Sequence, residues 1–217
     1  MTKSQDWFNQ LRISYEIGEL KKGDLHHDPF EQFGIWLNQA IARELPEPNA
    51  FVLSTVNGQS QPETRTVLLK FFSDEGFVFF TNYESKKAQS ISVNSNVALN
   101  FLWLPIHRQV IIEGTAEKIS RKDSESYFET RPISSQLGAW TSPQSQIIES
   151  REVLETRAEK FSAQFKDQVP MPDFWGGYLV KPRLIEFWQG RPSRLHDRFR
   201  YTQELKSDSW NLNRIAP

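Results

Sequence analysis

The sequence predicts a mainly β domain with flanking helices (α+β), in which antiparallel strands form a closed or split barrel. Short runs rich in β-branched and aromatic residues recur along the chain, and tight turns such as NGQ and SDEG separate them. Consecutive strands joined in this way pair antiparallel. Segments with helical periodicity lie on either side of the runs, as expected for helices packed beside a barrel. The chain has no βαβ pattern, GxGxxG or GxxxxGK[ST] motif, so we expect no Rossmann or P-loop nucleotide site.

Length, charge and composition narrow the classes of function. A chain of 217 residues suits one domain with terminal extensions. Its 26 basic and 27 acidic residues nearly cancel, whereas nucleic-acid-binding proteins usually carry a basic excess, so we expect no nucleic-acid partner. The lack of cysteine excludes disulfides, thiolate nucleophiles and Cys-based metal sites. No apolar signal core or membrane-length run is present, which favours a cytoplasmic protein without a membrane partner.

The first helix is predicted in residues 29–45, and the PEP sequence at 46–48 ends it. Residues 1–28 are polar and mixed, and we expect them to form an N-terminal arm on a domain that spans 29–217. Apolar residues spaced by three or four give the helix one buried face: Phe30, Phe33, Leu37 and Ile41.

Most of the predicted strands follow this helix. A short helix is expected at 84–94, between the third and fourth strands. The strands are predicted at 51–56, 64–72, 77–81, 97–103, 108–119, 176–182 and 183–190.

Two further helices are predicted between the strand blocks. Ser120 with Asp123 is typical of a helix cap ahead of RKDSESYFETR, and Pro132 ends that helix. A longer helix is expected at about 149–166, with one buried stripe: Leu154, Ala158, Phe161 and Phe165.

Two clusters of cations in the strand-rich block are candidate anion sites. On a regular strand, Arg65 and Lys70 of TRTVLLK would face opposite sides; the alternative is that each extends to solvent at a strand end. Lys86 and Lys87 open a helix, where their charge opposes the helix dipole. A bound phosphate would relieve that repulsion, whereas a solvated helix end is the simpler explanation.

Tyr127 and Arg131 form a third cluster, because residues four apart share a helix face. Ser134 or Ser135 would cap the next short segment, QLGAW, and complete a pocket for a small anion. An ordinary surface pair of Tyr127 and Arg131 is the alternative.

The fourth cluster is the segment RPSRLHDRFRY at 191–201. If it is extended, Arg194, His196 and Arg198 share one face, and the neighbouring positive charges should lower the pKa of His196. A solvated loop is the alternative. Taken together, the four clusters indicate a ligand with two phosphates or two phosphorylated ligands.

Several motifs resemble those of the pyridoxine/pyridoxamine 5′-phosphate oxidases, from about residue 11 to the final RIAP. They are TRTVLLK, FFTNYESKKA, RQVIIEGTAEK, YFETRPISSQLGAW, QSQII, FWGGY, IEFWQG and RLHDRF. The resemblance implies an FMN-binding split β-barrel that works as a homodimer, with FMN at the subunit interface. It implies oxidation of pyridoxine or pyridoxamine 5′-phosphate to pyridoxal 5′-phosphate, a step of vitamin B6 salvage. Hydride would pass from substrate C4′ to flavin N5, and O2 would reoxidise the flavin to give H2O2, with NH3 released from the amine.

The resemblance also assigns residues to the two ligands. Positions that match FMN contacts are Arg65, Thr66, Val67, Leu68, Leu69, Lys70, Phe80, Thr81, Lys86, Lys87, Gln109, Gln144, Ser145, Trp188 and Arg198. Positions that match substrate contacts are Arg12, Tyr15, Lys70, Tyr127, Arg131, Ser135, Arg194 and His196. Arg194 and His196 are the catalytic candidates, and the segment from Arg12 to Tyr15 matches one that closes on the substrate. No metal site is implied.

The chain departs from the family's common residues at two of these positions. Phe80 stands where Tyr is common, and Lys86 stands where Arg is common. Arg191 and Arg200 match no role and are expected to be solvated. Two other functions stay open. One is that of a different split-barrel flavin oxidoreductase, which a panel of substrates would distinguish from a pyridoxine/pyridoxamine 5′-phosphate oxidase. The other is that of a non-catalytic protein that binds pyridoxal phosphate.

Overall fold

The computed structural model describes residues 11, 14–165, 168–204 and 209–217. The described strands form a mostly antiparallel sheet that makes a half-barrel with flanking helices, which confirms the predicted fold class. The strands are β1 (Ala50–Val56), β2 (Pro62–Leu68), β3 (Phe71–Ser73), β4 (Gly76–Asn82), β5 (Asn96–Trp103), β6 (Arg108–Lys118), β7 (Trp175–Gln189), β8 (Asp197–Gln203) and β9 (Trp210–Ile215). The α-helices are α1 (Pro29–Ala42), α2 (Lys86–Val93), α3 (Arg121–Thr130), α4 (Ile133–Thr141) and α5 (Glu152–Gln164).

The strand order is β2-β1-β5-β6-β7-β4-β3, with β8 paired to β7 and β9 to β8. In the antiparallel pair of β1 and β2, Leu53 lies opposite Arg65. Strand β7 pairs antiparallel with β4 through residues 175–180 and with β8 through residues 184–189. None of the helices in the described ranges is both long and apolar enough to cross a membrane.

The chain divides into two compact units. The first unit takes its described residues from 1–48, 100–111 and 184–217, and the second from 49–99 and 112–183. Strands β5, β6 and β7 therefore contribute residues to both units.

Helix α1 and aromatic side chains form the core of the first unit. The carboxylate of Asp28 accepts a hydrogen bond from the Phe30 amide at 2.7 Å and caps the helix. The ring of Phe33 lies 5.0 Å from Phe101, and Trp36 meets Phe187 edge-on at 5.1 Å. These contacts bury the apolar face of α1 against the ends of the strands.

The predicted face of α1 is wrong at its C-terminal end. Ile41 is 52% exposed, whereas Ala40 is fully buried and Trp36 nearly so. Each residue turns the helix by about 100°, so residue 40 lies close to the direction of Phe33 and residue 41 points well away from it.

The core of the second unit is a layer of aromatic side chains over the sheet. Phe51 of β1 lies 6.1 Å from Phe79 of β4, and Phe79 stacks on Tyr178 of β7 at 5.5 Å. Helix α2 is present as predicted. Helix α3 begins where Ser120 accepts a hydrogen bond from the Asp123 amide at 3.0 Å, which confirms the predicted cap.

The predicted strand at 64–72 is interrupted, so Arg65 and Lys70 do not share one regular strand. Strand β2 pairs with β1, whereas β3 pairs with β4. Between them, the Leu69 amide donates to Asn49 O at 2.8 Å and the Lys70 amide to Val78 O at 3.0 Å. The change of partner turns the chain at Lys70.

The two strands predicted at 176–182 and 183–190 are one continuous strand, β7. The boundary between the two predicted strands falls at Pro182. In the structure this residue lies within β7, between the stretch that pairs with β4 and the stretch that pairs with β8. Its missing N–H therefore costs neither ladder a hydrogen bond.

Two helix predictions also need correction. Ser134 and Ser135 lie inside α4 rather than capping it, and the Ser135 amide donates to Pro132 O at 2.8 Å. Ala158 is exposed, so the buried stripe predicted for α5 narrows to Phe161, with Leu154 and Phe165 half-buried.

Candidate active site

The cavity at the start of α2, named here the Lys87 cavity, is strongly cationic. Its volume is about 400 Å³, and it lies in the second unit. Its walls are built from Glu63, Thr64, Arg65, Lys86, Lys87 and Ser145. Three predicted cations and one predicted serine thus converge on one space, as the sequence suggested for a phosphate site.

Lys87 is buried, and none of its hydrogen-bond acceptors in the described part of the chain is a carboxylate. Its Nζ donates to Thr81 Oγ1 at 3.1 Å, Ser85 Oγ at 3.3 Å and Gln144 Oε1 at 3.4 Å. Burial, and then the charge of Arg65, lowers the pKa of Lys87 to about 8. A buried ammonium held only by neutral oxygens is suited to an anionic ligand.

Glu63 partly neutralises the mouth of this cavity. It pairs with Lys86 at 2.9 Å and with Arg65 at 3.4 Å, and the Lys86 contact holds the pKa of its carboxyl low. Arg65 also donates to Thr55 Oγ1 at 2.7 Å. Sequence reasoning missed Glu63, although it lies two residues from Arg65 on β2 and therefore on the same face.

A second cavity of the same unit, the Arg131 cavity, has a volume of about 350 Å³. Four of the eight residues that resemble substrate contacts of the family line it: Lys70, Tyr127, Arg131 and Ser135. Phe80, Thr81, Asn82, Gln144 and Trp175 complete much of the remaining wall. Because Thr81 and Gln144 also bond Lys87, the two cavities share these neighbours.

Arg131 carries an N–H donor that has no acceptor among the residues the structure describes. Its Nη1 is buried, and nothing in the described part of the chain accepts a hydrogen bond from it. Burial lowers the pKa of its guanidinium, and the nearby Tyr127 opposes that shift. Arg131 follows α3 with extended backbone (φ −74°, ψ 147°), so the predicted sharing of a helix face with Tyr127 is wrong, although both line the cavity. An unsatisfied buried cation is costly unless a ligand pairs with it.

The first unit contains a third cavity of about 470 Å³, the His196 cavity. Its lining includes four of the predicted residues: Tyr15, Trp188, Arg194 and His196. The His196 ring lies 4.6 Å from Trp188 and 5.8 Å from Tyr15. Its Nδ1 accepts a hydrogen bond from the Arg191 amide at 3.1 Å, which leaves Nε2 to carry the proton of a neutral ring.

The pKa of His196 is lowered, as predicted, but the leading cause is burial, followed by Arg194 and Arg198. The predicted extended segment is wrong, because Pro192–Arg194 form a 3-10 turn in which Ser193 and Arg194 have φ of 57° and 61°. Strand β8 begins only at Asp197, so Arg194, His196 and Arg198 do not alternate along one strand.

The arginines at the ends of this segment are engaged, which corrects their expected solvation. Arg191 donates to Gly18 O at 2.9 Å and lies 3.5 Å from Asp197. Arg200 pairs with the buried Glu186 at 3.0 Å. Glu186 also pairs with Arg198 at 2.6 Å, and the sequence signal for it was a lone acid in the apolar run LIEFW.

The other predicted residues are distributed over the two units. Tyr15 packs on His107 at 4.4 Å, and Gln109 is half-buried on β6. Along β2, Thr66 is exposed and Val67 and Leu68 are half-buried. Leu69, just after β2, is 5% exposed. Arg12 lies outside the described residues.

The fold is shared with solved structures at low sequence identity. PhzG from Burkholderia lata 383, in complex with tetrahydrophenazine-1-carboxylic acid, gives a TM-score of 0.87 at 23% identity, covering 94% of this chain and all of that one. A pyridoxamine 5′-phosphate oxidase-related, FMN binding protein from Nostoc punctiforme gives 0.69 at 17% identity, covering 85% and 96% of the two chains. These likenesses define the class of fold, the split barrel.

Sequence comparisons define the family. A model described as pyridoxamine 5′-phosphate oxidase matches residues 37–165, and one described as the pyridoxine 5′-phosphate oxidase C-terminal dimerisation region matches residues 175–217. A Crocosphaera subtropica protein named pyridoxine/pyridoxamine 5′-phosphate oxidase is 54% identical over 95% of this chain and 98% of its own. A protein of the same name from Paraburkholderia xenovorans is 48% identical, over 96% of this chain and 98% of its own. The chain belongs to the pyridoxine/pyridoxamine 5′-phosphate oxidase family and is an oxidoreductase of that family.

Proposed function

We propose that this protein binds FMN and uses it to oxidise pyridoxine 5′-phosphate or pyridoxamine 5′-phosphate to pyridoxal 5′-phosphate, with O2 as the acceptor. The observation that carries the proposal is a pair of cations in neighbouring cavities, the buried Lys87 and the half-buried Arg131, whose Nη1 is buried. Neither has a carboxylate among the acceptors described above. Two separate phosphate sites would account for both, and the names of the relatives support this assignment.

The donors of the Lys87 cavity fit the phosphate of FMN. Lys87 supplies a desolvated positive charge, Lys86 and Arg65 add charge at the rim, and Ser145 adds a hydroxyl. The remaining flavin contacts would come from Thr66 to Lys70, Phe80, Thr81, Gln109, Gln144, Trp188 and Arg198. FMN held by these residues would supply the redox chemistry, that is, hydride acceptance from substrate C4′ at flavin N5 and electron transfer to O2.

In the Arg131 cavity, Lys70, Tyr127, Arg131 and Ser135 would hold the phosphate of the substrate. That binding energy positions the pyridine ring for reaction. Arg194 and His196 would orient the ring, with His196 neutral because its pKa is lowered. An alcohol loses two electrons and two protons to become the aldehyde, and O2 takes them up as H2O2. The amine in addition consumes one water and releases NH3.

The N-terminal arm, residues 1–28, would close on the substrate, leaving residues 29–217 as the FMN-binding domain. The described part of the arm is held by hydrogen bonds, since Gln189 Nε2 donates to Ile17 O at 2.9 Å and Arg191 to Gly18 O. We propose a homodimer with FMN at its interface, supported by the match to the C-terminal dimerisation region. The cytoplasmic location stays a prediction from the sequence.

The direct test is product analysis in air. The FMN-loaded protein is incubated with pyridoxamine 5′-phosphate, and pyridoxal 5′-phosphate, H2O2 and NH3 are each quantified. The proposal predicts equal amounts of the three, and no turnover of unphosphorylated pyridoxamine at the same concentration. Tight binding of pyridoxal 5′-phosphate without formation of any product would contradict the oxidase and indicate a carrier. Oxidation of other donors only would indicate a different split-barrel oxidoreductase.

A further inference from the structure

Trp175, at the start of β7, belongs to an aromatic stack that reaches the Arg131 cavity. It is 6% exposed and lies parallel to Phe80, with ring centroids 5.3 Å apart and an interplanar angle of 12°. Phe80 in turn stacks on Tyr127 at 3.9 Å. Parallel rings in such close contact restrict one another's position by packing. The position of the Tyr127 phenol is thus tied to Trp175 through Phe80.

The same tryptophan supports the guanidinium of Arg131. Arg131 Cζ lies 4.7 Å from the centre of the Trp175 ring and 5.3 Å from that of Phe128. The backbone around it is fixed separately, since the Arg131 amide donates to Phe128 O at 3.1 Å and Gln136 Nε2 donates to Arg131 O at 2.8 Å. The side chain is therefore held by aromatic faces.

An aromatic face positions a cation without neutralising it. The attraction comes from the electron density above the ring and uses none of the N–H donors of the guanidinium. Two other arginines that are predicted to bind ligand are held by carboxylates instead: Arg65 pairs with Glu63, and Arg198 pairs with Glu186. A carboxylate at Arg131 would repel a phosphate dianion, whereas Trp175 leaves both the charge and the unsatisfied Nη1 available to it.

The sequence FWGGY explains how the stack is built. In the pairing of β4 with β7, Phe80 lies opposite Gly177. A Cβ atom at Gly177 would lie 2.9 Å from Phe80 Cε1 and 2.5 Å from Ile119 Cδ1. Any larger residue there would displace the Phe80 ring, so the glycine following Trp175 and Gly176 makes room for the stack.

We propose that Trp175 is a positioning residue for the phosphate monoester in the Arg131 cavity: its ring orients Arg131 directly and Tyr127 through Phe80. The inference rests on the proposed function, since it assumes that this cavity takes the phosphate of the substrate. It also assigns Phe80 a packing role in which the hydroxyl of a tyrosine is not required.

The test measures binding rather than turnover. The Kd of the FMN-loaded protein for pyridoxal 5′-phosphate is determined by equilibrium dialysis, and that of the apoprotein for FMN by fluorescence quenching. The variants are Trp175→Leu, Trp175→Phe, Arg131→Ala and the control Trp140→Leu. Trp140 is a matched control because it packs against the same aromatic cluster as Trp175 but does not line the Arg131 cavity, and its ring contacts Phe161 and Phe165.

Trp175→Leu is expected to weaken pyridoxal 5′-phosphate binding about tenfold and Trp175→Phe about threefold, in the order of their cation–π strength. The Kd of both Trp175 variants for FMN should stay within about twofold of the wild-type value. Trp140→Leu should bind both FMN and pyridoxal 5′-phosphate within about twofold of the wild type. In steady-state kinetics the same variants should raise KM with little change in kcat. Trp175→Phe keeps the test decisive if the leucine variant does not fold.

Two outcomes would overturn the inference in different ways. If Arg131→Ala weakens phosphate-ester binding while both Trp175 variants bind like the wild type, Trp175 has no positioning role and the proposed pocket stands. If Arg131→Ala also binds like the wild type, the assignment of this cavity to the substrate phosphate fails, and the inference fails with it. Equal weakening of FMN and pyridoxal 5′-phosphate by Trp175→Phe would point to a general packing defect and also contradict it.

Discussion

Individual cations of the candidate site differ in what balances their charge. Arg65, Lys86 and Arg198 each have a carboxylate within ion-pair distance. Lys87 and Arg131 are instead surrounded by neutral oxygens and aromatic faces. The charges of the first group are balanced within the protein, whereas those of the second are not paired with a carboxylate in the described part of the chain, so a ligand anion would stabilise them. This difference identifies Lys87 and Arg131 as the centres of the two proposed phosphate sites.

The state of Lys87 should make FMN binding depend on pH. Because its pKa lies at about 8 in the protein without ligand, the ammonium form is lost as the pH rises above that value. A bound phosphate favours the charged form, so binding takes up a proton there. We expect the Kd for FMN to be flat below pH 7.5 and to rise by up to about tenfold per pH unit above pH 8.

Fluorescence titrations of apoprotein with FMN between pH 6.5 and 9.5 measure this profile. Lys87→Arg is the control, since it keeps the charge at every pH in the range and should remove the inflection while binding FMN. A wild-type Kd that stays constant to pH 9.5 would contradict the role of Lys87.

Strand β7 contributes Trp175 to the wall of the Arg131 cavity and Trp188 to that of the His196 cavity. It begins with Trp175 beside the Arg131 cavity, and its later residues include Glu186, Trp188 and Gln189. Strand β7 is 15 residues long, so the strands beside it must leave room for its backbone over that length. In the second unit, Gly114 lets the backbones of β6 and β7 lie very close together, because a Cβ atom at this position would be only 2.1 Å from Lys181 O.

Replacing Gly114 with alanine should therefore disturb the pairing of β6 with β7. We expect the free energy of unfolding to fall by about 1–3 kcal/mol, because backbone must move to relieve the clash. Urea denaturation of the apoprotein measures the change. Gly58→Ala is the matched control, since its nearest atom would be 3.9 Å away, and it should stay within about 0.5 kcal/mol of the wild type. Equal stability of the two variants would show that β6 and β7 do not need Gly114.

The elements that periodicity predicts best are those whose partners are local in sequence. The helices at 29–45 and 84–94 and the strands at 51–56, 77–81, 97–103 and 108–119 were predicted close to their observed places, whereas the strand predicted at 64–72 divides into β2 and β3. The signal for β8 was present, since Phe199 and Tyr201 are buried and alternate with polar residues, but the run of charges obscured it. Strand β9 has no fully buried position, and its alternation of Trp210 and Leu212 with asparagines spans only four residues, which is too short a run to predict a strand by itself.

At the scale of the whole molecule, the sequence located the cations but not the groups that balance them. The clusters at Lys86–Lys87 and at Tyr127–Arg131 were predicted from neighbours within five residues. Glu186 and Trp175 were missed, because each meets its cation only after distant segments pair: Glu186 lies 12 residues from Arg198, and Trp175 comes from a different element than Arg131. Burial, which sets the pKa shifts of Lys87 and His196, likewise emerges only from the folded chain.

In the proposed function, the two phosphate sites serve one flavin-dependent oxidation. An anaerobic titration of the FMN-loaded protein with pyridoxine 5′-phosphate, followed by flavin absorbance, tests whether they do. We expect the flavin absorbance to bleach as substrate is added and to return when air is admitted. A flavin that binds to the protein but does not bleach at saturating substrate would contradict the proposed oxidation.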